Sequence, residues 1–406
     1  MTGEAWQILT SPEAAAIIEA HLMTDPADFA LRYRGNVIPA ALLSTQLRNL
    51  QKSRRKLPAY FAARCILPSL ALEQCSSEAA AALKVMSGER CLDLTLGLGV
   101  DSAHFSRHFR EVTGLERDPE LAAITQYNFG LMGVSAQVVT AEAGAWLAAY
   151  EGPVFDLIYA DPARRDAAGG RLHDPAATSP DIRALYPLLR RHGRTLLVKL
   201  SPMFDIAEAA RLVPDTEWVA VVSVDGEVKE VLVQALLQDA SPGSPAVQVW
   251  IHRGGDVQRY SFPSLAASGM APEAHNPLTG DIPFILEPDP AFYKARAVPA
   301  LMRTLDPACG AWQSNPQGYI WATGATAAFP GRTFQVLHVM PWKPSAVKTW
   351  LRSQGIRRAE VAQRDFPFST QDIRRQLGIT EGGDVRLIAG RCGSGLWLFQ
   401  VMPVTS

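Results

Sequence analysis

The sequence predicts an α/β protein: an open parallel sheet with helices on both faces, preceded by a helical segment and followed by small α+β domains. Two observations carry this expectation. From Arg90 to Ser201, short apolar runs alternate with helical stretches in βα units of similar length, which is the texture of a parallel sheet. Beyond Pro214 the apolar runs follow one another with only tight turns between them, which marks antiparallel strands.

The elements read in order as follows. The first 85 residues are rich in Ala and Leu, carry a helix start at Ser11-Pro12-Glu13, and show no strand alternation. Within them, LLSTQLRNLQKSRRKLPAYFAARCILPSL places basic residues between apolar ones. CLDLTLGLG is the first strand and its loop, and DSAHFSRHF the first helix of the sheet. EVTGLE, AQVVTAE, VFDLIYAD and TLLVKLS are the next strands. PELAAITQYNFGLMG, GAWLAAY and RALYPLLRRHG are the helices between them. WVAVVSV, EVKEVLVQALL, AVQVWIHR and DVQRYSF then finish the sheet, with turns at Asp225-Gly226 and Gly254-Gly255. The loop-rich SLAASGMAPEAHNPLTGD marks a boundary. The expected domains are therefore 1–70, 71–265, 280–325 with a helix around Tyr293 to Leu305, and 326–406. The last holds strands TFQVLHVM, AEVAQRD, DVRLIAGR and GLWLFQVM around helices at 343–354 and 370–377.

Composition limits the function classes. Of 406 residues, 48% are apolar and 19% charged, which suits a soluble globular chain of several domains. Apolar runs stop short of the roughly 18 residues that span a bilayer, and the N-terminus makes a poor signal peptide. Five scattered cysteines without a CxxC pair argue against a disulfide framework and a zinc site. A reduced cytoplasmic setting without bound metal is the expectation. The net charge of −1 conceals segregation. Eight Lys or Arg and no acid fall between Arg32 and Arg64, and eleven basic against five acidic residues follow Thr326. Basic flanks around an acidic centre fit contact with a polyanion; two solvated faces are the bland alternative.

The first βα junction, DLTLGLGVD, sets Gly97 and Gly99 where backbone can approach a ligand. A dinucleotide fingerprint wants a third Gly or Ala where Ser102 stands. Asp93 at the loop's start is unfavourable beside a pyrophosphate but suits a ligand carrying an ammonium group. The charge sign therefore favours S-adenosylmethionine over NAD. Glu116 ends the second strand, where an acid can hold both ribose hydroxyls, while Asp118 caps the following helix. Glu142 after the third strand either accepts from an adenine amino group or is an ordinary solvated glutamate. Lys199 ends the fifth strand as a phosphate or carboxylate contact or as a snorkelling surface lysine. His104 and His108 have HxxxH spacing, but Phe105 stands where a zinc protease carries its glutamate.

The succession DLTLGLG, VTGLE, VVTAEAGAWL, LIYADPARRD and TLLVKLSP resembles the class I S-adenosylmethionine-dependent methyltransferases. Asp161-Pro162 matches the first half of that family's motif IV, (D/N/S)PP(Y/F/W), at the end of its fourth, Rossmann-like strand. The resemblance implies that Asp161 and a backbone carbonyl of the Asp161-Pro162-Ala163 stretch accept hydrogen bonds from the amine that is methylated. It implies equally that Asp93, Thr95, Gly97, Gly99 and Glu116 hold the cofactor. Ala163 and Arg164 depart from the motif, so no aromatic ring stacks on the base. Arg164, Arg165 and Lys199 remain as substrate contacts, since a guanidinium can stack on a base or hold a phosphate.

A closer likeness is to bacterial methyltransferases with a THUMP-like C-terminal domain, whose catalytic domain is similar to trimethylguanosine synthases. LEQCSSEAAAALK, DLTLGLGVDSAHFS, DPARRD, VKLSPMFDI, SVDGEVKEVLV, EPDPAFYKARAV and FPGRTFQVLHVMPW carry it. It implies a short ferredoxin-like unit before the THUMP-like end, and an RNA substrate. It also implies a second role for Gln74 and Ser76 at the cofactor mouth, beside the simpler one of Ser76 or Ser77 as a helix cap. The expected function is thus methylation of an RNA base nitrogen. A small-molecule or protein methyltransferase, a non-catalytic RNA-binding protein of the same fold, and an NAD oxidoreductase are the alternatives. Which RNA, which atom and which oligomeric state lie outside the sequence.

Overall fold

The computed structural model describes residues 5–35, 37–164, 178–238, 243–263, 282–324, 326 and 329–404. The chain forms two compact units. The first comprises 1–219 with 229–243, and the second 220–228 with 244–406.

The first unit opens with helices α1 (Pro12–His21), α2 (Pro26–Arg32), α3 (Ala40–Lys56), α4 (Pro58–Ala62), α5 (Ser69–Gln74) and α6 (Glu78–Ala81). Ser11 and Asp25 cap the first two by accepting from backbone N–H groups of their opening turns. On α3, Leu43, Leu47 and Leu50 recur at helical spacing and are fully buried. Arg48, Lys52, Arg54 and Arg55 of the same helix are exposed. The buried face joins a core that also contains Tyr60, Leu67, Leu98, Val100 and Ile124. Polar side chains fix the register of this packing. Asn128 makes two hydrogen bonds to the Ile66 backbone, at 2.8 and 2.9 Å. The Tyr60 hydroxyl donates to the Leu98 carbonyl at 2.9 Å, so the N-terminal helices brace the first glycine loop.

The sheet of this unit contains β1 (Gly88–Asp93), β2 (Phe109–Glu116), β3 (Gln137–Thr140), β4 (Phe155–Ala160), β7 (Gly193–Leu200) and β9 (Glu227–Leu236). A two-residue pair, β5 (Ala163–Arg164) with β6 (Thr178–Ser179), stands apart. The strands lie in the order β9-β7-β4-β1-β2-β3. All neighbours are parallel except β9, which runs antiparallel to β7. Strand β8 (Thr216–Val224) precedes β9 through the Asp225-Gly226 turn, both residues at positive φ. The crossovers are α7 (Val100–Phe105), α8 (Pro119–Met132), α9 (Ala143–Ala149) and α10 (Ile182–His192), with α11 (Ile206–Leu212) after β7. The chain reverses its winding between β1 and β4, and open α/β sheets bind ligands at the carboxyl ends of strands at such a switch point.

The expected α/β class stands, and two details differ. DSAHFSRHF is not one helix: Phe105 ends α7 and Phe109 begins β2, both buried. An apolar i, i+4 pair spanned a turn and so imitated a helical face. Similarly, the helix expected from Tyr293 to Leu305 is two short ones, α12 (Pro290–Lys294) and α13 (Val298–Met302). Arg296 between them has φ of +54°, a left-handed conformation that stops a helix.

The second unit holds the hairpin β10 (Ala246–Arg253) and β11 (Asp256–Phe262) and a six-stranded sheet. That sheet orders β13 (Ile320–Ala322), β12 (Phe284–Pro288), β14 (Gly331–Pro341), β17 (Gly395–Pro403), β16 (Arg386–Cys392) and β15 (Glu360–Arg364) side by side. Residues 284–288 and 320–322 therefore share one sheet with 331–403. Helices α14 (Pro344–Ser353) and α15 (Thr370–Leu377) bury Val347, Leu351, Ile373 and Leu377 with Leu387 and Leu398. Ile285, Trp321, Phe334, Ile388 and Phe399 form a second cluster. No helix among the described residues is long and apolar enough to cross a membrane.

The two glycines of the first loop serve different ends. Both have positive φ, +54° at Gly97 and +73° at Gly99. A Cβ at Gly99 would lie 2.3 Å from the Phe129 ring, whereas one at Gly97 would meet only the Thr95 carbonyl at 4.0 Å. Gly99→Ala is expected to cost about 1–3 kcal/mol through overpacking in addition to backbone strain, and Gly97→Ala the strain alone. Urea unfolding followed in the two variants checks this; equal losses would refute the distinction.

Candidate active site

The ends of β1 and β4 meet at the switch point. Asp93 pairs with Tyr159 in register, and the Leu94 N–H donates to the Tyr159 carbonyl at 2.9 Å. Asp93 is buried. Its Oδ1 accepts from the Thr95 N–H at 2.9 Å, and its Oδ2 from the Ser102 hydroxyl at 2.7 Å. Ser102, which occupies the place of a third fingerprint glycine, is thus a donor that shapes the loop. Burial pushes the Asp93 carboxyl up to about 7, against the pull of those two donors. The Thr95 hydroxyl in turn accepts from the Asp161 N–H at 2.7 Å. One threonine therefore ties the end of β4 to the loop after β1.

Asp161 keeps a third of its side chain exposed, and its Oδ2 lies 2.5 Å from Lys199 Nζ. Lys199 is buried and also donates to the Ser76 hydroxyl at 3.1 Å. The Ser76 hydroxyl donates its own hydrogen bond to Asp101 Oδ2 at 2.8 Å, and the Tyr159 hydroxyl donates to the same oxygen at 3.0 Å. The other Asp101 oxygen accepts from Lys84 at 2.9 Å. Lys84, with no exposed side-chain surface, forms a second ion pair to Glu230 Oε1 at 2.6 Å. Burial opposes every charge here, yet the partners overcome it at the centre. Lys84 and Lys199 hold Asp101 down at about 2, and the surrounding carboxylates hold both ammonium groups above the usual lysine range. Three acids, Asp101, Asp161 and Glu230, face two lysines in this cluster; burial raises the Asp161 and Glu230 carboxyls against the pull of those lysines, and the accessible end of the cluster is Asp161.

Several expected site residues fall at this crevice, and others fill plainer places. Glu116 is half-buried and accepts from the Gly97 N–H at 3.0 Å and the Asp118 N–H at 2.9 Å, one on each oxygen. Each oxygen retains a second lone pair. Gly97 leaves open space above the loop, and its carbonyl accepts from Thr125 at 2.7 Å. Glu142 is exposed and caps α9 by accepting from the Ala145 N–H. Gln74 is the exposed last residue of α5. Pro162 is buried behind Asp161. Ala163 and Arg164 enter β5; their side chains, and Arg165 altogether, lie outside the described residues. Among the described residues no cluster of His, Cys, Asp or Glu could hold a metal ion.

Sequence reasoning overlooked Lys84, Asp101, Tyr159, Ser102 as a donor, and Glu230. Asp101 closes the DLTLGLGVD stretch and Lys84 closes LEQCSSEAAAALK. A lysine at the end of an apolar stretch reads as a surface residue, and only the folded chain brings it to Glu230, 146 positions away.

Residues 331–401 match the family described as THUMP domain-like. The whole chain shares its fold with a protein of Porphyromonas gingivalis W83 provisionally described as a methyltransferase. That match has a TM-score of 0.82 and 24% identity, covering 99% of this chain and 98% of the other. An uncharacterised protein of Methanocaldococcus jannaschii is 32% identical over 91 residues, which is 22% of this chain. That match spans about a third of the relative's length (32%). None of these bears on the likeness to trimethylguanosine synthases.

The first unit should fail when its central cation is removed. Lys84→Met removes the buried ion-pair partner shared by Asp101 and Glu230 and should destabilise by about 3–5 kcal/mol, read as a lower denaturant midpoint. A shift below 1 kcal/mol would show the pair to be solvated. Asp93 makes a pH-dependent contribution of fixed sign. Its raised pKa means that its contribution to stability is greatest below about 4 and declines as pH rises through about 7. The stability difference between Asp93→Asn and the parent should therefore move in favour of the variant between pH 4 and pH 8. A flat difference would contradict the burial argument.

Proposed function

We propose that the first unit is an S-adenosylmethionine-dependent methyltransferase and that its acceptor is a base nitrogen of RNA. The observation that carries the reading is Asp161. It is an accessible carboxylate at the switch-point end of β4, anchored through its N–H by Thr95 and ion-paired to buried Lys199.

The residues at the crevice suit this cofactor. Gly97 offers open backbone, and Asp93, through Thr95 and Ser102, fixes the loop that carries it. Glu116 ends β2 with lone pairs to spare for ribose hydroxyls, and Glu142 stands after β3 as the adenine contact. A cluster with one more acid than lysine favours a cationic ligand over a pyrophosphate. The bound cofactor supplies a methyl group already activated by a sulfonium, so the protein's task is alignment. Asp161 accepts hydrogen bonds from the acceptor amine and turns its lone pair toward the crevice. Lys199 acts as a positioning residue, drawing the Asp161 carboxyl down against the effect of burial and holding it in one orientation.

Support for RNA comes from charge and from the C-terminal match. The exposed face of α3 presents Arg48, Lys52, Arg54 and Arg55, and that helix contains no acid. Residues 331–401 match a THUMP-like domain, a kind that binds RNA in base-modifying enzymes. Arg164 and Arg165 remain the proposed contacts at the acceptor base.

Calorimetric titration with S-adenosylmethionine, with NADH as control, should give binding by the first ligand alone. In methyl transfer to total RNA, Asp161→Ala should abolish turnover while leaving cofactor affinity nearly intact. Lys199→Met should lower kcat by roughly 100-fold with cofactor binding preserved. Asp93→Ala should weaken cofactor binding itself. Equal loss of cofactor affinity in the Asp161 and Asp93 variants would sink the division of roles.

A further inference from the structure

The second unit contains a cavity of about 550 Å³ beside the β10–β11 hairpin and the start of β14. That size lies within the range of small-ligand sites, roughly 300–1,000 Å³. Three guanidinium groups line it: Arg253 from the end of β10, Arg332 from β14 and Arg386 from the start of β16. The one acid in the lining, Asp256, is exposed at the hairpin turn.

The arginines are held in place but incompletely satisfied. Arg253 donates to Asp289 at 3.0 Å and to the Gly331 carbonyl at 2.7 Å. Arg332 pairs with Glu287 at 2.6 Å, but Glu287 also serves Arg364 at 3.2 Å, so two cations share one carboxylate. Arg386 pairs with no carboxylate among the described residues. Arg332 and Arg386 both lie against the buried ring of Phe334, at 5.7 and 5.6 Å from its centroid. One ring thus gathers two like charges at the cavity wall, an arrangement that an anion between them would stabilise. A second, independent feature points the same way. Thr326 is among the residues lining the cavity, and its hydroxyl, buried within the wall, has no hydrogen-bond partner among the described residues. A buried hydroxyl without a partner is costly, and a ligand oxygen would satisfy it. The half-buried Phe329 adds a flat apolar wall.

We propose that this cavity binds a nucleoside monophosphate group, with the phosphate on Arg332, Arg386 and the Thr326 hydroxyl and the base against Phe329. The group is either a free nucleotide or the 5′-terminal nucleotide of an RNA. The site does not depend on methyl transfer, and it lies in the second unit, so its occupancy is read separately from that of the crevice.

The test is calorimetry on the full chain with AMP, adenosine, inorganic phosphate, and a short single-stranded oligoribonucleotide carrying either a 5′-phosphate or a 5′-hydroxyl. AMP should bind saturably, and adenosine should bind at least tenfold more weakly, the loss expected for charged hydrogen bonds of about 1.5 kcal/mol or more. Arg386→Gln and Thr326→Val should each weaken AMP binding, the arginine change by roughly tenfold. Phe329→Ala should weaken AMP but leave inorganic phosphate unchanged. Tighter binding of the 5′-phosphorylated oligonucleotide than of AMP assigns the site to RNA ends; equal or weaker binding assigns it to free nucleotide. The proposal is overturned if neither AMP nor the phosphorylated oligonucleotide binds saturably. It is overturned also if both affinities survive Arg386→Gln and Thr326→Val in protein that unfolds at the parent's midpoint. Titrating S-adenosylmethionine into the same samples separates this failure from failure of the crevice reading.

Discussion

Lys84 is the constraint from which the rest of the first unit follows. A lysine with no exposed side-chain surface cannot be tolerated in a protein interior unless acids meet it. It is met by Asp101 from α7 and Glu230 from β9. That requirement brings together the segment before β1, the helix after β1, and the antiparallel strand that follows the parallel ones. Ser76 and Tyr159 then complete the hydrogen bonding of Asp101, and Lys199, donating to Ser76, extends the cluster to Asp161. An apolar core of the same volume could hold these segments equally well or better. What the charged cluster supplies instead is a single permitted arrangement, because each displacement strands a charge. The accessible carboxylate stands at the end of that arrangement and inherits its precision.

Beside this cluster runs a shorter chain of neutral donors. Ser102 and Thr95 serve Asp93, and Thr95 serves the Asp161 N–H. The loop with Gly97 and the end of β4 are thereby fixed to each other through one hydroxyl. Asp161 is thus held twice, by its backbone through Thr95 and by its side chain through Lys199. On the proposed function, such a shared anchor would serve a loop that holds the cofactor and a carboxylate that holds the acceptor, since alignment is the chief catalytic resource for an activated methyl group.

The strand-and-helix order was legible because hydrophobic periodicity is a local property. VFDLIYADP ends a buried strand on an acid and a proline, and the Asp161-Pro162 pair could be placed just past a strand's C-terminal end from those residues alone. Glu116 and Gly97 were legible for the same reason, as residues at the C-terminal ends of strands. Lys199 was half legible: its position was clear, but its burial and its pairing with Asp161 depend on β7 lying beside β4. Lys84 and Glu230 were not legible, because a charge is read as surface until a partner distant in sequence appears. Phe105 and Phe109 misled in the opposite sense, as a helical spacing that spans a turn. Arg296 ended a helix by a backbone conformation that its side chain does not announce.

The same division explains the distribution of charge in the first unit. Its interior cluster holds one more acid than lysine, while the exposed face of α3 carries Arg48, Lys52, Arg54 and Arg55 without an acid in the helix. These two fields act over different ranges. The exposed cations work through solvent and are screened beyond about 8 Å at physiological salt, so they gather a polyanion without ordering it. The buried carboxylates are little screened and act on whatever enters the crevice. A surface that attracts a polyanion would, by itself, draw phosphates into the site. On the proposed function, the excess of acid behind Asp161 would counter that pull, so that a polyanion held by its backbone outside would present only an uncharged base edge to Asp161.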